Sequence, residues 1–199
     1  VIGTQPSLAA GAARALIAAA GEAAAGWGQL AVSARAARLE RVAQLLEDGR
    51  AEYARLITRE VGKPLGEARA ELAKCASLCR YYAAQAPAFL ADQRIEAAAA
   101  ESYVSYQPLG VVLGVMPWNF PFWQLFRFAV PVLTAGNACL LKPAPNVSGC
   151  AQAIEALFRE AGYPPHVLNL LLVEIEHMAA VIEHPQVQGV ALTGSAEAG

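Results

Sequence analysis

The stretch Val111-Val112-Leu113-Gly114-Val115-Met116-Pro117-Trp118-Asn119-Phe120-Pro121 decides the fold. Its first six residues are a continuous apolar run, the pattern of a strand covered on both faces. The run breaks at Pro117, and Pro121 suits the first turn of a helix, where its missing N–H is not needed. Working outward, the spacing predicts a helix over 122–134 closed by Ala135-Gly136-Asn137, then a short strand over 138–141. A helix over 148–161 follows, closed by Gly162 with Pro164-Pro165 just beyond. A strand over 167–173, a helix over 175–183 and a fourth strand over 189–193 complete the pattern. Strands alternating with helices imply a parallel sheet with crossover connections, the architecture of nucleotide-binding domains.

Upstream, the first hundred residues read as helical. The alanine-rich segment 8–25 carries Arg14 and Glu22 and has no basic stretch ahead of it, so it is an ordinary helix rather than a signal segment. Over 34–61, Leu39, Val42, Leu46, Tyr53 and Ile57 recur at steps near three, four or seven, which marks one buried face. Gly62-Lys63-Pro64 stops this helix. A second helix is expected over 65–85, ending near Pro87. Ala97 to Ala100 is a biased run without an evident role, and 102–106 alternates like a strand before the turn Pro108-Leu109-Gly110. The reading is therefore α/β: a parallel nucleotide-binding sheet with flanking helices over 108–199, preceded by a helical segment over 1–107.

Composition narrows the function. The 199 residues are 56% hydrophobic and 16% charged, apolar for a free soluble domain, which suggests surface covered by further chain or another subunit. The net charge of −2 with no basic block excludes an electrostatic nucleic-acid binder. No apolar stretch reaches the length a membrane helix needs, so no membrane role is expected. Cys75 and Cys79 share an apolar stripe with Leu72 and Tyr82 and have no zinc-site partners nearby, so they read as buried thiols and no metal is expected. That usage fits a reducing cytoplasm. Cys150 lies near a helix start, which would lower its pKa; neither it nor Cys139 has a base placed beside it by the sequence. His166, His177 and His184 read as loop or surface histidines. Val1 in first place hints at a fragment.

Four places carry possible chemistry. Asn119 either caps the helix that follows or points its amide into a cleft at the strand exit. Lys142 directly follows a strand and is either solvated or part of a ligand site. A strand ending in Thr193-Gly194-Ser195, with Gly199 four residues on, is what a helix N-terminus needs to approach a pyrophosphate. Phe120, Trp123 and Arg127 fall at i, i+3, i+7 on one helix face, where the arginine is solvent-facing, ion-paired, or a fork for a carboxylate.

In order and spacing, Pro117–Pro121, Leu141-Lys142-Pro143-Ala144-Pro145 and Leu192–Gly199 resemble the aldehyde dehydrogenase superfamily. The resemblance runs from Ala12 onward and covers the N-terminal portion of that family only. From Tyr106 through Gln152 the chain looks particularly like the bacterial succinate-semialdehyde dehydrogenases of the short, cytoplasmic type. The resemblance implies that Asn119 donates to the oxyanion formed when a thiolate attacks an aldehyde, an interaction worth roughly 3–4 kcal/mol of barrier. It implies that Met116, Pro117 and Trp118 line the nicotinamide ribose side. Lys142, with Ala144 and Pro145 beside it, meets the adenosine ribose, and Gly194, Ser195 and Gly199 meet the pyrophosphate. Arg127, next to Trp123, binds the distal carboxylate of succinate semialdehyde. Pro145 stands where many members carry the glutamate that excludes a 2′-phosphate, so NAD and NADP both stay open as cofactor. Leu172-Val173-Glu174-Ile175-Glu176 departs from the family, which often has glycines there beside the adenine.

By the same resemblance the 108–199 part is a partial Rossmann-like domain. The chain is expected to be a fragment, truncated before the catalytic domain with its cysteine nucleophile and glutamate base, and inactive alone. The complete enzyme is expected to be a homo-oligomer, with the strand around Tyr103 as the start of its subunit-pairing strand. Two other readings stand beside it: a non-catalytic NAD(P)-binding module, and a purely structural piece.

Overall fold

A computed structural model describes residues 7–97 and 100–199, so Val1 and the middle of the alanine run at 97–100 lie outside the described residues. Four helices come first: α1 (Ala10–Gly28), α2 (Val32–Asp48), α3 (Arg50–Val61) and α4 (Leu65–Phe89). A short antiparallel ribbon pairs β1 (Gln93–Arg94) with β2 (Tyr103–Val104). Then strands and helices alternate through β3 (Val111–Val115), α5 (Trp123–Thr134), β4 (Ala138–Lys142), α6 (Ser148–Glu160), β5 (Leu168–Leu170), α7 (Met178–Ile182) and β6 (Val187–Leu192). The four long-range strands form one parallel sheet in the order β5-β4-β3-β6, the expected α/β architecture.

The unbroken apolar runs have a simple cause: β3, β4 and β5 are buried on both faces, while β6 at the edge alternates half-buried and exposed residues. Successive side chains alternate between the two faces. Val112, Cys139, Leu141, Leu168 and Leu170 join the larger core, with α2 to α6. Val111, Leu113, Ala138, Leu140 and Leu171 join a second core under α1 and α7. Small residues let α1 lie close, since Ala13, Ala20 and Ala24 are all buried on its inner face. The far end of α1 is tied to the end of α5: the Trp27 indole donates to Leu133 O at 2.7 Å. Arg35 of α2 is buried and donates to Thr134 O at 2.9 Å, to Gly28 O at 3.2 Å and to Leu30 O. Three carbonyls solvate this charge in place of water, and burial still pulls its pKa down. Among the described residues no single helix is long and apolar enough to cross a membrane. The α1–α2 pair passes only jointly and bends by 113° at its break.

Several boundaries differ from expectation. The segment 34–61 is two helices, not one, because the chain breaks at Gly49. The Tyr53 ring packs against that residue so closely that a Cβ there would sit 2.5 Å from it. The helix α4 runs past Pro87 to Phe89: a proline so near the end removes one N–H bond, and the Leu90 N–H closes the last turn on Ala86 O. Only Tyr103–Val104 of the 102–106 segment pairs as a strand. The strand expected over 167–173 is regular only from Leu168 to Leu170. The helix expected over 175–183 is a 3-10 turn at Ile175–His177 followed by α7.

Gly114 sits in the middle of β3, where an added Cβ would lie 2.5 Å from the Phe128 ring of α5. Gly114→Ala is therefore expected to lower stability by about 1–3 kcal/mol through overpacking, read as a shift in the urea midpoint with an unchanged slope.

Candidate functional site

In an open parallel sheet, ligands bind outside the carboxyl ends of the strands, where the strand order reverses. Here β3 leads outward to β4 and β5, and the chain then returns to place β6 on the other side of β3. Two strand-end hydrogen bonds gather the loops at that point: Met116 N–H to Lys142 O and Thr193 N–H to Val115 O, both 3.0 Å. The result is a cleft of about 780 Å³, within the range typical of cofactor sites. Its walls come from Met116, Pro117, Trp118 and Asn119 after β3, Lys142 to Pro145 after β4, and Thr193, Gly194 and Ser195 after β6. Ile175, Met178 and Ile182 close the side beyond β5.

The structure thus brings most of the candidates into one crevice. Trp123, Arg127 and Gly199 do not line it. Trp123 is half-buried beneath the Lys74 ammonium, 3.7 Å from its ring centre. Arg127 is exposed on the next turn of α5 and has no hydrogen bond or ion pair among the described residues. Phe120 is not on that helix, which begins at Trp123, so the three residues do not share a helical face.

Asn119 is exposed at the cleft and does not cap α5. Among the described residues its carboxamide has no hydrogen-bond partner. The cap comes from far away in sequence. Glu71 of α4 is buried, and its Oε1 accepts the N–H groups of Phe122 and Trp123, each at 2.9 Å. Its Oε2 takes the Lys63 ammonium at 2.5 Å, with both side chains nearly shut off from solvent. The same ammonium lies 3.6 Å from the Phe120 ring centre. Lys63 reaches this place because α3 ends on Gly62 in the left-handed conformation, φ 75°. Glu60 does the same for α6, accepting from Gly149 N–H at 2.9 Å and Cys150 N–H at 2.8 Å. These acids supply the negative charge that a helix N-terminus favours.

The charges in the cleft are under strain of a different kind. Lys142 is buried and donates only to Pro143 O, at a long 3.4 Å. Burial pulls its pKa down, and the nearby Glu174 charge acts the other way. Oε1 of Gln124, which also lines the cleft, is the one buried side-chain polar atom without a partner among the described residues. An under-coordinated ammonium and a side-chain-free Gly194 on the wall fit an anionic ligand such as a dinucleotide.

The expectation of a lowered Cys150 pKa is overturned. Its thiol is buried against the Glu60 carboxylate, and desolvation and that negative charge push it up. The Glu60 carboxylate already occupies the helix end that would have stabilised a thiolate. Burial also raises Cys75, Cys79 and Cys139. All four cysteines are free and buried, and none lines the cleft. Among the described residues no cluster could hold a metal.

Sequence reading missed Glu60, Lys63, Glu71 and Gln124. Glu71 left one trace: it stands three residues after Ala68 and four before Cys75, on the buried side of α4. Its partners lie 51 and 52 residues downstream and have no local signal.

Comparison with known proteins agrees with this fold. The model of the aldehyde dehydrogenase family matches residues 1–199. The succinate semialdehyde dehydrogenase [NAD(P)+] Sad of Escherichia coli is 43% identical over 173 residues, which cover 87% of this chain and 37% of that protein. The succinate-semialdehyde dehydrogenase [NADP(+)] of Deinococcus radiodurans is 46% identical over 173 residues, covering 87% of this chain and 36% of that protein. The chain thus spans little more than a third of the curated relatives it matches. The crystal structure of succinic semialdehyde dehydrogenase from Streptococcus pyogenes with NADP+ superposes with a TM-score of 0.94 at 33% identity, over 98% of this chain and 43% of that one.

The buried, protonated thiols make a direct prediction. A chromogenic disulfide reagent at mildly alkaline pH is expected to leave all four cysteines unmodified in the folded chain and to titrate all four after unfolding.

Proposed function

This chain belongs to the aldehyde dehydrogenase family, and from that premise we propose that the whole protein oxidises succinate semialdehyde to the acid with NADP+ or NAD+. The observation that carries the proposal is the shared cleft of Asn119, Lys142 and Ser195 at the reversal of strand order. The names of the Escherichia coli and Deinococcus radiodurans relatives support the substrate and the cofactor.

In this reading a dinucleotide bound in the cleft would supply the hydride acceptor. Lys142 holds its adenosine ribose, beside Ala144 and Pro145. Gly194 and Ser195, with Gly199 just beyond, receive the pyrophosphate. Met116, Pro117 and Trp118 keep the other ribose in place. With Pro145 rather than a carboxylate beside Lys142, that loop does not repel a 2′-phosphate, whereas the nearby Glu174 charge acts against one. The Asn119 carboxamide donates to the oxygen that gains charge when a nucleophile adds to the aldehyde carbon. That nucleophile is a cysteine thiolate outside these residues, since the four cysteines here are buried away from the cleft. Arg127 has no partner among the described residues and is assigned to the far carboxylate of the substrate, beside Trp123. The exposed β2 edge, with Tyr103 and Val104, is assigned to pairing between subunits of a homo-oligomer. The free thiols suit a reducing cytoplasm.

Two variants of the full-length protein test this. Asn119→Ala is expected to lower kcat about 100- to 1000-fold while the dissociation constant for NADP+ stays within about twofold of wild type, since that donor acts on the transition state. Arg127→Leu is expected to lower kcat/KM for succinate semialdehyde and to spare an uncharged aldehyde of similar length. Full activity in the first variant, or an unchanged substrate preference in the second, would remove the assigned role.

A further inference from the structure

We propose that the buried Lys63–Glu71 pair is a positioning device for Asn119, fixing the turn Trp118–Pro121 without itself touching the ligand. The inference rests on the reading of Asn119 as the oxyanion donor. It starts from a weakness in the turn. Asn119 has no side-chain partner among the described residues, and Trp118, Asn119 and Phe120 are all exposed. Pro121 has no N–H to offer. The backbone of the turn has one tie, the Gln124 N–H to Phe120 O at 3.0 Å, and among the described residues no hydrogen bond fixes the direction of the carboxamide itself.

The restraint acts on the residues that follow Asn119, on either side of Pro121. On the far side, Glu71 Oε1 holds the Phe122 and Trp123 N–H groups and so sets where α5 begins. On the near side, the ammonium that neutralises Glu71 lies over the Phe120 ring, next to Asn119. One carboxylate and one ammonium thus clamp the residues before and after Pro121, and Gly62 lets Lys63 turn inward to do so. Neither Lys63 nor Glu71 lines the cleft. The cofactor wall is independently placed: Lys142 and Thr193 are held by the strand-end hydrogen bonds to β3 and its exit. A change in the pair should therefore move the donor while the cleft walls at Lys142 and Thr193 stay in place. A small misplacement of a catalytic group costs up to about 100-fold in rate.

The test uses the full-length protein with Glu71→Gln, Phe120→Leu and each of these combined with Asn119→Ala. Glutamine keeps an oxygen for the two N–H groups and loses the charge that holds Lys63; leucine removes the ring at an exposed position and keeps the fold. The expected result is a kcat lowered about 10- to 100-fold in Glu71→Gln and about threefold in Phe120→Leu, with the NADP+ dissociation constant changed far less than kcat because Lys142 and Ser195 keep their places. In the Asn119→Ala background neither change should lower kcat further, because the route runs through that amide. The same losses in that background would overturn the proposal. A wild-type protein inactive on aldehydes would sink the functional reading instead. The positioning claim then stands or falls on the Asn119 side-chain amide signals in NMR. They should shift in both single variants, while the backbone signals of Lys142 and Ser195 stay; unshifted Asn119 signals would refute it.

Discussion

One buried carboxylate fixes where the helix behind the cleft begins. Glu71 comes from a helix that belongs to no part of the sheet, yet it defines where α5 starts. Taking a carboxylate and an ammonium out of water costs several kcal/mol each. Three favourable terms oppose that cost: the close Lys63 contact, two charge-assisted N–H bonds, and the positive end of α5. The pair is sustained only because all three coincide. Removing either partner leaves an uncompensated buried charge, worth about 3–5 kcal/mol. Glu60 repeats the arrangement at α6, with two N–H bonds to one carboxylate. The helices before the sheet thus set the ends of the helices within it.

The cleft inherits its position from topology and its chemistry from what topology leaves unsatisfied. Parallel strands put their carboxyl ends on one side, and the return of β6 past β3 opens the crevice there. Lys142 is carried into it as the last residue of β4. Desolvation favours its neutral form and the Glu174 charge favours the ammonium; desolvation is the larger effect, so the pKa falls. A bound anion would supply the counter-charge that the chain itself provides only at a distance. The same reasoning disarms Cys150: the site of highest positive potential near its thiol is already filled by Glu60.

Much of this was legible in the primary structure. The apolar run 111–116 announced a strand buried on both faces, and the core contacts of Val111, Val112 and Leu113 on opposite sides of the sheet bear that out. The alternation after it gave the parallel sheet, because crossover helices leave a periodicity of their own. Element ends were less legible. Gly49 broke a continuous helical pattern because of where the Tyr53 ring lies, and Pro87 failed to end α4 because it stands within the last turn. At the site, the family resemblance marked Met116 to Asn119, Lys142, Ala144, Pro145, Gly194 and Ser195, which line one cleft, and also Gly199, which does not. It did not mark Glu71, Lys63 and Gln124. An acid and a lysine eight residues apart look like an ordinary solvated pair until the helices are packed.

The sequence by itself determined the class of fold, the order of the strands along the chain, and which loops leave the sheet on its carboxyl side. These follow from hydrophobic periodicity and turn chemistry, which act over a few residues. Tertiary structure alone decided what caps α5, that Asn119 is left without a partner among the described residues, that Arg127 stays outside the cleft, and that Cys150 is held as a thiol. Each of these depends on groups distant in sequence meeting in a space without water, where charge and hydrogen-bond satisfaction outweigh local preference.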